Sequence, residues 1–410
     1  MRFGMVAGEA SGDLLAGLLM GGLRERWPAL QAAGIGGPRM RAQGFEAWWP
    51  SDRLAVHGYA EVLRVYRQLV ALRRELGDRL LAERPAAFIG IDAPDFNLGL
   101  EARLKAAGLR TVHFVCPSIW AWRGGRVHKL AASADHVLCV FPFEPALLAK
   151  AGVAASYVGH PLADAIPLGV PRASARAALG LGGDDVVVAV LPGSRRGEIR
   201  HIAPDFARAA LRLHAARPAL RCLLPVAPGL RPAVEAVVAE TGAQDALELV
   251  DGRSHEVLAA CDAALVASGT ATLEAALFKR PMVIGYRLHW LNWQVMRHMH
   301  YQPWIGLPNV LSGAFVVPEL VQDAMTPAAL AEAVLHWLDD PAACDALARR
   351  FTDLHLDLRR DTPGRHRCHR ASPRSLSSSA CLSAGAASAW WPASTRPAAG
   401  RWPGRWWRRR

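Results

Sequence analysis

Short apolar runs alternate with longer amphipathic stretches along the first 160 residues of the chain. The apolar runs predict strands at residues 2 to 7, 31 to 36, 87 to 91, 111 to 116, 136 to 141 and 155 to 158. Helical periodicity fills the intervals between them, for example at 14 to 27 and 62 to 81. This alternation indicates βαβ units built around a parallel sheet.

The same pattern begins again after a connector rich in Ala, Gly and Pro. Further strands are predicted at residues 186 to 191, 221 to 226, 247 to 250, 263 to 267 and 282 to 286. We therefore expect an α/β protein with two doubly wound, Rossmann-like domains that face a ligand cleft. The predicted division is an N-terminal domain over 1–163, a connector over 164–183 and a C-terminal domain over 184–362.

Composition is that of a globular chain, since 51% of the 410 residues are hydrophobic and 20% are charged. This length suffices for two domains that each bury a core. The sequence has no apolar run of the roughly 18 residues that span a bilayer, and its start lacks the features of a signal peptide. We expect a cytoplasmic protein. The seven cysteines are scattered and mostly lie in apolar runs, which favours reduced thiols over disulfides or a zinc site.

The net charge of +12 belongs mainly to the last 48 residues. Residues 363–410 contain ten Arg and no Lys, Asp or Glu, which leaves +2 for the rest of the chain. This basic tail has no periodicity and many turn-forming residues, so we expect disorder. A basic tail with Trp can bind nucleic acid or anionic lipid. We favour a shifted reading frame in a GC-rich gene, which resequencing of the 3′ end tests, and we expect no nucleic-acid partner.

Two carboxylates stand where a buried strand passes into a loop, in the run from Phe88 to Phe96. Ligands of open α/β sheets bind at the carboxyl ends of strands, and Pro94 ends this strand. Asp92 is therefore a candidate general base. In the alternative interpretation, Asp92 caps a turn or a helix and Asp95 is merely solvated.

A glycine-containing turn follows the first strand, in the run from Val6 to Asp13. Ser11 and Asp13 can cap the helix that comes next. The turn is neither a Walker A loop nor a Gly-x-Gly-x-x-Gly fingerprint. Glu9 would repel a phosphate, which favours contact with a sugar hydroxyl, a proton or a backbone donor. A purely structural turn is the alternative.

Two strand-to-helix turns of the second half are suited to phosphate. Ser194 and Arg195 precede a helix whose first turn supplies N–H groups and a positive dipole end. In the run from Ala267 to Glu274, hydroxyls and amides of Ser268, Gly269 and Thr270 can cradle a diphosphate, and Glu274 can accept hydrogen bonds from a ribose. Solvated arginines and a Glu placed for the helix dipole are the alternatives. Together the turns predict a nucleotide site.

Six segments, in this order and spacing, resemble the lipid-A-disaccharide synthase family over roughly residues 1–360. They are Val6 to Asp13, Gly90 to Phe96, Pro117 to Arg123, Leu191 to Arg195, Ala267 to Glu274 and Leu307 to Leu311. The resemblance implies an inverting glycosyltransferase of GT-B architecture. Such an enzyme transfers 2,3-diacylglucosamine from its UDP-linked form to 2,3-diacylglucosamine 1-phosphate, which yields a β-1,6-linked disaccharide 1-phosphate and UDP.

The resemblance also implies roles for individual residues. Asp92 is the expected base on the 6-hydroxyl of the acceptor. Glu9 is the second expected catalytic residue and matches a family position of acceptor placement, and Asn309 matches a position of donor-sugar contact. Arg195, next to Ser194, matches a residue that supports the leaving UDP. The nucleotide loop is matched by Ser268, Gly269, Thr270 and Glu274. Ser11 and Asp95 complete the candidate substrate-binding set.

The implied enzyme needs no cofactor and no metal, and its two substrates are lipids. We expect it at the cytoplasmic face of the inner membrane, where the Arg-containing amphipathic stretch 62–74 can lie on an anionic leaflet through Leu69 and Leu72. Packing of that helix on its own core is the alternative. The sequence does not decide whether the enzyme forms a homodimer. The competing functions are another UDP-sugar transferase or epimerase of the same architecture, and a non-catalytic binder that uses the basic tail.

Overall fold

A computed structural model describes residues 1–8, 10–54, 62–121, 124–288, 293–294 and 302–360. The described residues form two parallel β-sheets. In the part of the chain that is described, no helix is long and apolar enough to cross a membrane. The basic tail and Glu9 fall outside the described residues.

The first sheet has seven strands in the order β3-β2-β1-β4-β5-β6-β7. Its strands are β1 (Arg2–Ala7), β2 (Gln31–Gly36), β3 (Glu46–Pro50), β4 (Ala87–Ile91), β5 (Thr111–Phe114), β6 (His136–Cys139) and β7 (Ala155–Tyr157). Its helices are α1 (Ala10–Arg26), α2 (Pro38–Ala42), α3 (Val62–Glu83), α4 (Pro94–Ala106), α5 (Arg126–Ser133), α6 (Glu144–Ala149) and α7 (Pro161–Ala165). The strand order reverses between β1 and β4, and ligands bind at such a switch point.

The second sheet has six strands in the order β10-β9-β8-β11-β12-β13. Its strands are β8 (Val187–Leu191), β9 (Arg221–Val226), β10 (Glu248–Asp251), β11 (Ala263–Ala267), β12 (Met282–Tyr286) and β13 (Glu319–Val321). Its helices are α8 (Arg172–Ala178), α9 (Arg196–Ala216), α10 (Arg231–Thr241), α11 (Ser254–Ala260), α12 (Thr270–Leu277), α13 (Leu307–Ser312), α14 (Pro327–Asp339) and α15 (Pro341–Leu358). The order reverses between β8 and β11, so the two predicted phosphate turns adjoin the switch point.

The predicted pair of Rossmann-like α/β sheets is confirmed, and each predicted strand is present. The predicted strands at 111 to 116 and 136 to 141 each run two residues too far, because β5 and β6 end earlier. The short outermost strands β3 and β13 were not predicted, and each pairs with one neighbour only. The other two edge strands, β7 and β10, were predicted, so position at an edge is not the whole reason. β13 has only three residues, too few for a periodic pattern, and β3 has no fully buried residue.

The final helix, α15, returns from the second sheet to the end of the first. Its buried His355 bridges the two, since Nε2 donates to the carbonyl of Ala163 at 2.7 Å and Nδ1 accepts from the Lys279 ammonium at 2.7 Å. These partners fix a neutral ring with the proton on Nε2, and burial lowers the pKa of His355 in the same sense. The Tyr157 hydroxyl also donates to the carbonyl of Asp357, at 2.7 Å. This crossing is complete before the basic tail begins.

Candidate active site

Asp92 lies in a sharp turn at the carboxyl end of β4. Asp92 and Ala93 both have positive φ, at 49° and 42°, which non-glycine residues rarely adopt. The Asp92 amide donates to the carbonyl of Phe114 on β5 at 2.9 Å. Pro94 takes the first position of α4, where its missing N–H is not needed. The turn therefore sets the half-buried Asp92 at the switch point of the first sheet.

Asp95 is placed differently from Asp92, although only two residues separate them. Its side chain is 84% exposed and pairs with Arg126, with 2.6 Å between Oδ1 and Nη2. An exposed ion pair of this kind contributes little to stability. Substrate contact by Asp95 stays a prediction, and the two carboxylates occupy distinct environments.

The first glycine-containing turn leads into α1, which begins at Ala10. Ser11 therefore lies in the first turn of this helix, where it is partly exposed. Glu9, the second predicted catalytic residue, falls outside the described residues. Contacts of Ser11 and Glu9 with an acceptor stay predictions.

The expectation that Asp13 caps α1 is wrong. The buried Asp13 carboxylate instead accepts three backbone hydrogen bonds at the start of α2, from Gly37 at 2.9 Å, Arg39 at 2.8 Å and Met40 at 3.1 Å. Unpaired N–H groups at a helix start favour a carboxylate. Asp13 thus joins two helices, a role hidden from the sequence because the five-residue α2 was not predicted.

Asn97 on α4 is a polar residue of this site that the sequence did not single out. It is fully buried, and its Nδ2 donates to the carbonyl of Asp92 at 2.8 Å and to that of Ile91 at 3.3 Å. The available signal was a lone amide in the run Phe96-Asn97-Leu98, which a buried helix face carries only with hydrogen-bond partners.

The turn between β8 and α9 places Arg195 at the helix start with its side chain 62% exposed. Glu198 folds back over this start and accepts from the amides of Ser194 at 2.9 Å and Arg195 at 3.2 Å. Its other oxygen lies 3.6 Å from Arg195 Nη1. The amides of Ser194 and Arg195 are therefore already bonded. The groups best placed for a phosphate are the Arg195 guanidinium and the first-turn amides of α9, since those amides lack intrahelical acceptors.

A second helix start stands at the same switch point, between β11 and α12. Gly269 has φ 152°, which strains any residue with a Cβ, and both Gly269 and Thr270 are exposed. The Thr272 hydroxyl donates back to the carbonyl of Gly269 at 2.8 Å. The Thr272 amide also donates to the carbonyl of Gly269, at 3.1 Å, and anion binding by the remaining amides of this helix start stays a prediction.

Ser268 links this turn to the segment that precedes α13. Its hydroxyl donates to the carbonyl of Ile305 at 3.1 Å. Glu319, at the start of β13, accepts from the amides of Ile305 and Gly306, each at 2.9 Å. The nucleotide loop and residues 305–309 therefore form one hydrogen-bonded assembly.

Asn309 is fully buried, and its side chain makes internal hydrogen bonds only. Its Oδ1 accepts from the amides of Val316 and Val317, and its Nδ2 donates to the Val317 carbonyl and to Glu319 Oε1, over 2.7–3.0 Å. These four bonds use the full capacity of an amide side chain. Direct contact with a donor sugar would require one of them to break, so in this conformation Asn309 holds the 305–319 segment in place.

Glu274, predicted to bind a ribose, lies mostly buried on α12. Its Oε2 is 3.5 Å from Nε2 of His255. Among the described residues, no group of three or more His, Cys, Asp or Glu side chains is arranged to hold a metal ion. The contact between Glu274 and a ribose stays a prediction.

These groups provide two complementary sets of chemistry. A half-buried carboxylate lies at the switch point of the first sheet, and the exposed guanidinium of Arg195 and two helix starts lie at that of the second. A carboxylate can accept a proton from a hydroxyl, and the cationic set can stabilise a departing diphosphate. This combination serves group transfer from a nucleotide sugar.

Comparisons with known proteins give a consistent result. The family model described as lipid-A-disaccharide synthetase matches residues 4–360, so the match stops short of the basic tail. The lipid-A-disaccharide synthase of Verminephrobacter eiseniae (strain EF01-2) is 61% identical over 368 residues, which cover 88% of this chain and 95% of that protein.

Two solved structures show the same fold at low sequence identity. A UDP-GlcNAc 2-epimerase from Neisseria meningitidis, bound to UDP-GlcNAc, has a TM-score of 0.60 at 9% identity and covers 87% of this chain and 99% of its own. The glycotransferase of kitacinnamycin has a TM-score of 0.54 at 17% identity, and the match covers 86% of this chain and 95% of that one. The architecture is that of GT-B glycosyltransferases and epimerases.

Proposed function

This chain belongs to the lipid-A-disaccharide synthetase family and is a hexosyltransferase of lipid A biosynthesis, and from that premise we propose how its residues carry out the transfer. The donor is UDP-2,3-diacylglucosamine, and the acceptor is 2,3-diacylglucosamine 1-phosphate. The observation that supports this most is the placement of Asp92 at one switch point and of Arg195 with the Gly269 turn at the other.

Asp92 acts as general base in this mechanism. It removes the proton of the acceptor 6-hydroxyl while that oxygen attacks the anomeric carbon of the donor, and the bond from that carbon to UDP breaks in the same displacement. The configuration inverts, which gives the β-1,6 linkage. A positioned general base contributes about 10²- to 10⁴-fold to a rate.

The leaving UDP is stabilised by groups of the second sheet. Arg195 supplies a planar guanidinium for the diphosphate, and the start of α12, where Gly269 and Thr270 are exposed, supplies backbone amides. Ser268 and Asn309 hold the neighbouring segments in position. The nucleotide bound to the Neisseria meningitidis epimerase supports UDP as the leaving group.

The decisive experiment incubates the purified protein with both lipid substrates. We expect disaccharide 1-phosphate and UDP to form in equal amounts. Chromatography and mass spectrometry measure both products. An acceptor without acyl chains should be used far less efficiently. Conversion of the UDP-sugar to an epimer, with no UDP released, would instead identify the epimerase alternative.

Two lipid substrates also require contact with a membrane, and we infer that α3 makes it at the cytoplasmic face of the inner membrane. Val70 is 38% exposed. It lines a shallow groove of about 450 Å³ together with Arg73, Arg74, Gly99, Leu100 and Arg103. Apolar and arginine side chains side by side are typical of surfaces that bind anionic lipid. The expected role of Leu72 is wrong, because this side chain is 7% exposed and packs in the core.

The double variant Val70→Ser/Arg74→Gln should bind anionic phospholipid vesicles about ten-fold more weakly. An arginine at such a surface contributes about 1 kcal/mol to membrane binding, and a valine side chain that enters the lipid adds to this. Sedimentation with vesicles measures this binding, while activity in detergent micelles should be retained. The matched control is Val186→Ser/Arg212→Gln, which changes an exposed valine and an exposed arginine elsewhere. Equal vesicle binding by both variants would place the contact on another surface.

Three further statements stay proposals. The N-terminal domain (1–163) takes the acceptor, and the C-terminal domain (184–362) takes the UDP-sugar. The basic tail at 363–410 is the product of a shifted reading frame, in keeping with the family match that ends at residue 360. No cofactor or metal takes part.

A further inference from the structure

We propose that Asn97, backed by the buried pair Glu101 and His113, is a positioning residue that keeps Asp92 in its catalytic conformation. This inference rests on the proposed role of Asp92 as the general base. Asn97 touches the backbone of the Asp92 turn and no reacting atom. It acts through the turn geometry.

The turn that carries Asp92 is strained. Asp92 and Ala93 follow each other in the left-handed region, at φ 49° and 42°, where a Cβ atom crowds the backbone. Such pairs of residues persist only where surrounding contacts hold them. Without such contacts the turn would relax, and the carboxylate of Asp92 would shift with it.

Asn97 supplies side-chain contacts to the turn, in addition to the bond from the Asp92 amide to the carbonyl of Phe114. Its Nδ2 lies 2.8 Å from the carbonyl oxygen of Asp92, 3.3 Å from that of Ile91 and 3.5 Å from that of Val6. The side chain thus joins the carboxyl end of β4 to that of β1, the two strands at the switch point. It also fixes the carbonyl of the strained residue itself.

A buried acid and a histidine lie behind Asn97. Glu101 is four residues further along α4, on the same helix face, and its Oε1 is 2.7 Å from Nδ1 of His113 on β5. Both side chains are fully buried. The pair packs over Gly90, where an added Cβ would lie 2.0 Å from Glu101 Oε1 and 3.0 Å from the Cβ of Asn97.

Burial of this polar cluster costs the fold free energy. Among the described residues, Asn97 Oδ1, Glu101 Oε2 and His113 Nε2 have no hydrogen-bond partner although they are buried. Burial of an acid with a histidine rarely stabilises a protein more than apolar packing does. A polar cluster with this cost, centred on the turn of the candidate base, is best explained by the geometry that it imposes on that turn.

The test compares Asn97→Ala with the double variant Ala93→Gly/Asn97→Ala. Asn97→Ala should lower kcat about 30- to 100-fold, since a displacement of about 1 Å in a reacting group has effects of this size. KM for the UDP-sugar should stay within about two-fold because the nucleotide site is untouched. Glycine adopts the left-handed region without strain, so Ala93→Gly should restore kcat about ten-fold in the Asn97→Ala background.

A merely structural role of Asn97 predicts a different result. Both variants would then lose thermal stability, and Ala93→Gly would not restore kcat. If Asn97→Ala does not fold, Asn97→Ser replaces it, because serine keeps a shorter hydrogen-bond donor. The loss of kcat and its recovery by Ala93→Gly should then both be smaller. Unchanged kcat in a folded variant, lack of rescue, or failure of every variant to fold would each overturn the proposal.

Failure of the underlying mechanism gives a separate signature. If Asp92→Asn retains full activity, the assignment of the base fails, and Asn97 has no catalytic turn to position. If Asp92→Asn is inactive while Asn97→Ala keeps the wild-type kcat, only the positioning role fails.

Discussion

Asp92→Asn is expected to lower kcat about 10³-fold while KM for both substrates changes little, because the substitution removes a general base and preserves shape. Asparagine also tolerates the left-handed conformation found at this position, so the turn should be retained. Quantitative measurement of disaccharide 1-phosphate and UDP over a range of both substrates separates kcat from KM.

The matched control is Asp339→Asn, the same chemical change at an aspartate outside the candidate site. The Asp339 side chain is 62% exposed and pairs with Arg217. We expect its kcat within about three-fold of wild type, since exposed ion pairs contribute about 0–1 kcal/mol. Equal losses in both variants would point to a general effect of charge, and an active Asp92→Asn enzyme would remove Asp92 from the mechanism.

Arg195→Ala is expected to have the second largest effect, a fall in kcat of about 10²- to 10³-fold. The removal of one preorganised group that stabilises developing charge lowers kcat by about this factor. Because charge on the departing diphosphate grows in the transition state, kcat should fall more than the affinity for UDP. Steady-state kinetics and calorimetric titration with UDP give the two quantities.

Arg200→Ala provides the comparison for Arg195. Arg200 is also exposed on α9, one turn beyond the helix start, so its loss changes net charge equally. We expect about two-fold change or less in kcat, since exposed charges beyond the first turn interact weakly with a ligand at the helix start. If both variants lose activity alike, long-range attraction of the nucleotide explains the effect and a direct contact does not.

The sequence alone determined the fold class and the places where chemistry can occur. The apolar periodicity gave the central strands, because a strand buried on both faces must be apolar throughout. The turns at Asp92, Arg195 and Gly269 were visible as glycine, proline and charged residues directly after such strands. Connections in parallel sheets then require these turns to meet at one edge of each sheet.

The partner of each polar side chain was decided only by the tertiary structure. Asp13 was expected to cap its own helix, yet it caps α2, and Asn309 is saturated by internal bonds. Leu72 was expected at a surface and lies in the core. Local pattern tells which residues carry hydrogen-bonding groups, but partners from distant parts of the chain compete for them. Burial makes that competition decisive, because an unpaired polar atom in the interior costs far more than one in water.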